Sequence, residues 1–487
     1  MKKEIFDEIV RRSMWLHERT SKITAQEISS RNVADKKRLD KWIQAVSNGD
    51  ERRLNQRLRL SGVSLSQIEA ALDPSITTPG FTRPTWIIML EEACEAATLY
   101  SRIDPKGRLK NNRSFLNKNA PQPFQDLFVP FVITASLTLQ KQLKANGVLI
   151  PKKLLCSLER DLLSQLTDIS SRTLLYEFNN YRRAAYPLGI LGITGIESNN
   201  GGSLLYDKFV QSMLESGLEE FFLEYSVLAR LVGTKIGYWI DSNELFLQRL
   251  SEDQIMILND LGLNTKIHNI KRLIPGKSDP HDKGKTVVEI QLADGSSLFY
   301  KPRSLIAEKF YYRLIASINE TKFKIKLKAL NVLDCGTYGW MLGATGSSNG
   351  KLSELFFRRS GALLAIFHSL GVTDMHNENV LNIDEHPIVV DFETLDHPIT
   401  IFDFHLGRGF FSNSKLDEYL LRSVWRTLFL PGWTVTPGRD SYDLSPLVRN
   451  DSAQLRTRKS KMIRMNSDGM ALVFFGDEAP IEFKEKK

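Results

Sequence analysis

Residues 371–395, GVTDMHNENVLNIDEHPIVVDFETL, decide the reading of the fold. They set ionisable and amide side chains at the end of an apolar helical stretch and between two short apolar strands. Asp374 stands five positions before Asn379, the spacing of a kinase catalytic loop. In such a loop the Asp orients or deprotonates a hydroxyl nucleophile and the Asn binds magnesium. Twelve residues after Asn379, the apolar strand PIVV runs into Asp391 of DFE, where a kinase carries the magnesium-binding Asp of D-F-G. Glu393 replaces the Gly of that motif, adding a carboxylate and removing backbone freedom, which argues against an ordinary protein kinase.

Upstream, TVVEIQL alternates apolar and polar residues, Ala293–Ser296 supply a turn, and SLFYK returns as a second strand. Lys301 ends that hairpin, the place from which a kinase lysine reaches the α- and β-phosphates. A helix over about 305–319 follows at once. Glu308 on it is a candidate partner for Lys301, although sequence does not fix which acidic side chain faces inward. Before the hairpin, GKSDPHDKGK puts glycines, Asp279 and His281 where a phosphate-covering loop would lie, without the G-x-G-x-x-G spacing. Taken singly, each residue has an ordinary structural role: a strand-end Lys is usually solvated, and a lone Asp usually caps a turn. His268, His386, His397 and His405 keep that reading, whereas the order Lys on a hairpin, helix, Asp-x4-Asn loop, strand into Asp-Phe points to an ATP and magnesium site.

The rest of the chain sets the frame. Its 487 residues, 42% hydrophobic and 25% charged, are enough for two to three subdomains and unlike a disordered chain. No run approaches the roughly 20 apolar residues of a membrane helix, and MKKEIFDEIVRR turns polar too early for a signal peptide, so a cytoplasmic location is expected. Three scattered cysteines write neither a disulfide framework nor a zinc site. The net charge of +8 is diffuse, with RTRKSK at 456–461 its densest cluster, so nucleic acid is not an expected partner. Residues 1–270 read as helical, with Leu154, Leu155, Leu158, Leu162 and Leu166 of KKLLCSLERDLLSQL on one stripe. Further helices are expected near 84–101, 124–145, 204–232, 244–261 and 352–370, with IESNNGGSLLYD as a surface loop and another helix over KLDEYLLRSVWRTLF. The fold class is therefore α+β, divided as a helical part (1–270), a catalytic core (271–412) and a carboxy-terminal part (413–487).

DMHNENVLN, DFETL, SDPHDKGKTV and LFYKPRSL together resemble the dehydratase domain of class II lanthipeptide synthetases. The likeness extends to EFFLEYSVLARLV, QPFQDLFVPFV and SVWRTLFLP. The resemblance implies a lipid-kinase-like core elaborated by added helices. It also implies a two-step reaction on a ribosomally made precursor peptide: ATP-dependent phosphorylation of Ser or Thr, then loss of phosphate to give dehydroalanine or dehydrobutyrine. It makes Asp374 the residue that activates the hydroxyl, supported by His376. Asn379 and Asp391 become magnesium ligands and Lys301 a phosphate contact; Asp279 and His281 act in the phosphate-handling loop, and Glu393 acts near metal or ADP. The leader-bearing precursor peptide is the implied partner, and a separate cyclase or carboxy-terminal half a second one. Family members are about twice as long, and IEFKEKK reads as a truncation, which leaves elimination in doubt and cyclisation outside the expected activity. Two rival readings are an inactive peptide-binding remnant and a small-molecule or lipid kinase that shares the fold.

Overall fold

The computed structural model describes residues 2–21, 36–72, 83–103, 114–117, 119–185, 202–344, 352–395, 422–434, 442–447 and 460–474. The chain divides into two compact units. The first comprises Met1–Leu139, Leu162–Asp241 and Asn466–Gly469; the second comprises Gln140–Asp161, Ser242–Met465 and Met470–Lys487. His397, His405 and IEFKEKK lie outside the described residues, as do parts of IESNNGGSLLYD and RTRKSK. Among the described residues no helix is long and apolar enough to cross a membrane.

The first unit is helical. The Thr85–Ser101 helix packs against Leu204–Glu215, and the rings of Phe124, Phe178, Tyr206 and Phe209 meet at 5.3–6.2 Å. Ser203, the residue before the Leu204–Glu215 helix, gives it no side-chain cap. Asp468 does so instead, its carboxylate accepting from the Leu205 and Tyr206 amides at 2.8 Å, where an anion also favours the helix dipole. The continuous helix expected over 204–232 is broken into Leu204–Glu215, Glu219–Glu224 and Ser226–Glu252. The break falls where Gly217 and Leu218 adopt φ of 62° and 59°, and a Cβ at Gly217 would lie 2.7 Å from Thr98 Oγ1 and 2.9 Å from the Cys94 carbonyl of a distant helix. Only glycine fits that approach. The last of these helices overruns the expected start at 244 and ends before Asp253, after which Gln254–Leu261 begins anew.

The second unit is mixed α+β. Its five-stranded antiparallel sheet has the order β1-β2-β3-β5-β4, with β1 Ile270–Ile274, β2 Val288–Leu292, β3 Ser297–Lys301, β4 Val332–Asp334 and β5 Gly339–Leu342. The hairpin read from TVVEIQL and SLFYK is β2–β3, in the register Val288 to Tyr300 and Gln291 to Ser297. Its turn is locked by Asp294, whose Oδ1 accepts from the Ser296 amide, and by Gly295 at φ 90°. Strand β1 escaped the sequence reading because IKRLI carries two adjacent charges and joins β2 through an irregular register between Ile270 and Arg272. The Ile306–Glu320 helix packs on β4.

The helix expected near 352–370 runs from Glu354 to Ser369, with Ser353 Oγ accepting from the Phe356 amide as its N-cap. Phe356, Leu363 and Phe367 are buried and Leu355 is exposed. Strands β6 (Val380–Ile383) and β7 (His386–Val389) form a separate hairpin through Asp384 and Glu385, both at positive φ. Of the helix expected over 415–429, the described part is a single 3₁₀ turn, Val424–Thr427. It is followed by short antiparallel pairs, β8 Trp433–Thr434 with β9 Tyr442–Asp443 and β10 Ser460–Ile463 with β11 Ala471–Phe474.

One apolar cluster fixes where the polar residues of this unit can go. It contains Tyr311, Tyr312 and Ile315 of the helix after β3, Leu363 and Phe367 of the later helix, and Val372, Met375, Val380, Val389, Phe392 and Phe429. The last group interleaves with Asp374, His376, Asn379 and Asp391 along the chain. Burying the apolar members leaves the polar ones little choice of direction.

Candidate functional site

Lys301 reaches the site because β3 alternates: Leu298 and Tyr300 are buried on the sheet, and the strand delivers Lys301 at its end, only 5% exposed. Opposite it in β5 is Gly339. A Cβ there would fall 2.6 Å from Leu305 and 2.7 Å from the Leu333 carbonyl, so the close approach depends on glycine. The ammonium donates to the Val390 carbonyl at 2.6 Å and lies 3.5 Å from Glu308 Oε1 and 3.8 Å from Asp391 Oδ1. Burial holds its pKa below the ordinary lysine value, partly offset by the charges of Asp391 and Glu308.

Glu308 is the acidic residue that faces inward. It sits in the first turn of the Ile306–Glu320 helix, 1% exposed. Asp334 of β4 fixes the entry to that helix by accepting from the Leu305 amide at 2.7 Å and Ser304 Oγ at 3.1 Å. Burial pushes the Glu308 carboxyl up, but the hydrogen bond from Arg303 and the charges of Lys301 and Arg303 hold it below the usual glutamate value.

The loop Thr373–Asn379 is pinned from outside by its own backbone. The Met375 amide donates to the Thr427 carbonyl and the Asn377 amide to the Leu444 carbonyl, each at 2.8 Å. Asp374 adopts φ 65°, a left-handed conformation that costs a non-glycine residue energy and persists only where its surroundings enforce it. Asn379 enforces it: Nδ2 donates to the Asp374 carbonyl at 2.8 Å and approaches Oδ2 at 3.3 Å. His376 Nδ1 accepts from the Glu378 amide at 3.2 Å, and Nε2 lies 3.6 Å from Asp374 Oδ1. Burial raises the Asp374 carboxyl pKa; neighbouring His376 lowers it, Asp391 raises it, and the net direction is up.

Val390 joins the parts. Its amide donates to the Asn379 carbonyl at 2.8 Å, while its carbonyl accepts from the Lys301 ammonium. One residue therefore ties the catalytic-type loop, the lysine and Asp391 into one frame. Phe392 anchors the next position, fully buried and stacked on Tyr311 at 4.4 Å. Tyr312 donates to the Val389 carbonyl, and Thr394 Oγ1 donates to the Thr373 carbonyl at 2.5 Å.

The structure adds one residue to the expected set and leaves two of that set outside the bonded cluster. Arg303, unremarked in sequence, is central: it forks onto Glu308 at 3.1 and 2.5 Å, contacts Asp391, and places Nε 3.3 Å from Glu393. Its position two residues after Lys301 was the available signal, since such spacing favours one face of an extended chain. Asp279 and His281, conversely, are exposed on the loop between β1 and β2. That loop closes on itself through His281 and Lys285, whose main chains exchange hydrogen bonds at 2.9 and 2.8 Å. Among the described residues, the hydrogen bonds and ion pairs that knit the cluster do not include Asp279 or His281.

The donor set suits a hard cation. Asp391 offers a carboxylate and Asn379 a neutral amide oxygen, the ligand types magnesium takes. Among the described residues no group of three or more His, Cys, Asp or Glu has metal-holding geometry. A magnesium ion here would complete its shell with phosphate oxygens and water, as is usual at nucleotide sites.

Two comparisons place the chain among known proteins. Residues 225–484, more than half of the chain, match the family described as a domain of unknown function (DUF4135). The chain is also 32% identical over 166 residues to the lacticin 481/lactococcin biosynthesis protein LcnDR2 of Lactococcus lactis subsp. lactis. That match covers 32% of this chain and 17% of the relative, so this chain corresponds to a small part of it.

Proposed function

The chain belongs to the DUF4135 family and is a class II lanthipeptide synthetase-like protein, and from that premise we propose that it phosphorylates Ser and Thr hydroxyls of a precursor peptide at the expense of ATP, within lanthipeptide biosynthesis. The observation that carries the reading is the Val390 clasp, which sets Lys301, Asn379 and Asp391 in one frame with Asp374 beside them. An antiparallel sheet that hands a buried lysine to a buried helix glutamate further supports a kinase-like core.

Magnesium-bound ATP would supply the γ-phosphoryl group and spread its developing charge. Asp391 and Asn379 would hold the ion, and Lys301 would neutralise the inner phosphates. Asp374 orients the substrate hydroxyl and takes its proton as the new oxygen–phosphorus bond forms and the bond to ADP breaks. A carboxylate with a raised pKa is the better proton acceptor for that task. His376, 3.6 Å away, steadies the carboxylate as it changes charge. Glu393, exposed beside Arg303, would act near the metal or ADP, and Asp279 and His281 on the β1–β2 loop would close over the phosphates. Phosphorylation is the first step of dehydration; removal of the α-proton with expulsion of phosphate, which gives dehydroalanine or dehydrobutyrine, is a second step outside the activity proposed for this chain.

Mass spectrometry of a Ser/Thr-rich precursor peptide, after incubation with this protein, ATP and magnesium, tests the reading. A gain of about 80 Da per modified residue, absent with Asp374→Ala, is expected. A folded protein that leaves the peptide mass unchanged refutes it, and phosphorylation of a small alcohol or lipid in place of the peptide favours a different kinase with the same core.

A further inference from the structure

Three carboxylates converge on the Arg303 guanidinium. Glu308 takes both Nη atoms, at 3.1 and 2.5 Å, Asp391 Oδ1 accepts from Nη2, and Glu393 Oε2 lies 3.3 Å from Nε. Glu308 is almost wholly buried, so its two-point grip fixes the guanidinium in place. The oxygen that Arg303 holds on Asp391 also lies 3.8 Å from Lys301. Two fixed cations thus address one carboxylate that is a candidate magnesium ligand.

A divalent cation arriving alone at Asp391 would meet the positive charge of Arg303 across a shared oxygen, in a partly buried place where such repulsion is weakly screened. A cation arriving with a polyphosphate brings excess negative charge, which gives the displaced end of the guanidinium a new bidentate partner. We infer that Arg303 is a positioning residue that makes metal binding at Asp391 conditional on a polyphosphate, so that metal and nucleotide enter as one unit. Lys301 is the less direct of the two, since it lies 3.8 Å from Asp391 Oδ1 and its shortest contact is with the Val390 carbonyl. The inference rests on the reading of Asp391 and Asn379 as magnesium ligands.

The test is titration of the full chain with Mn²⁺, following the free-ion resonance by electron paramagnetic resonance, with and without a non-hydrolysable ATP analogue. Wild type should bind Mn²⁺ weakly alone and much more tightly with the analogue. Arg303→Gln should tighten binding of Mn²⁺ alone, and the enhancement by the analogue should shrink by the same factor, within the roughly 5- to 150-fold range of linked sites. Arg303→Lys, which keeps charge but loses the fork, should fall between. Loss of a purely structural residue would weaken both affinities together, and that result, or unchanged Mn²⁺ binding in both variants, overturns the inference while leaving the magnesium reading intact. If wild type binds no Mn²⁺ even with the analogue, the magnesium reading itself fails and the inference falls with it.

Discussion

Replacing Glu308 by glutamine keeps the shape of the side chain and removes its charge. Lys301, 3.5 Å away and nearly buried, would retain the Val390 carbonyl and Asp391, whereas Arg303 would lose its two-point partner. Breaking a buried charge pair from one side costs about 3–5 kcal/mol. Because Arg303 is 28% exposed and both cations keep other partners, the lower end, about 3 kcal/mol, is expected here. For a unit of this size that is roughly 6–12 °C in melting temperature.

The pH dependence sharpens the test. Attraction to Arg303 and Lys301 outweighs burial and holds the folded carboxyl below its ordinary value of 4.5. A depressed pKa contributes stability that is present above the unfolded pKa and is lost as pH falls through the folded one. The difference between wild type and Glu308→Gln should therefore be flat from neutral pH down to the unfolded value and shrink below it. Urea unfolding of both proteins across pH 3–8 measures it. A loss under about 1 kcal/mol at neutral pH, or a difference that persists undiminished at the acid end, would refute the buried-pair account.

Other consequences follow from the same contacts. Phe392→Ala empties the stack on Tyr311 and should cost about 3–5 kcal/mol in urea unfolding, with weaker binding of magnesium and ATP because Asp391 loses its anchor. Gly217→Ala places a methyl group 2.7 Å from Thr98 Oγ1 at a φ of 62°, so the melting temperature should drop by an amount corresponding to about 1–3 kcal/mol. Asp374→Asn should abolish phosphate transfer while leaving ATP-analogue affinity within a few-fold of wild type, as isothermal titration would record. In the wild type, the raised Asp374 pKa moves the acid limb of the rate profile upward relative to an ordinary aspartate: activity grows as pH rises through that pKa and the carboxylate becomes free to accept a proton.

The parts of the fold whose signal is local were legible in the chain. The leucine stripe from Leu154 to Leu166 is buried as its period requires, and the β2–β3 hairpin keeps the register its turn dictates. The spacing from Asp374 through Asn379 to Asp391 marked the stretch where the structure gathers its polar groups. Tertiary structure decided what depends on residues far apart in the chain. Choosing Glu308 as the inward acid needed the helix docked on β4, and the role of Arg303 needed Asp391 and Glu393, some 90 residues on, brought against it. The amide cap from Asp468, about 260 residues from the helix it serves, and the helix break imposed on Gly217 by Cys94 and Thr98 belong to the same class. Periodicity reports which face of a segment is apolar; it carries no information on which distant charge or carbonyl will be waiting there once the apolar faces have closed.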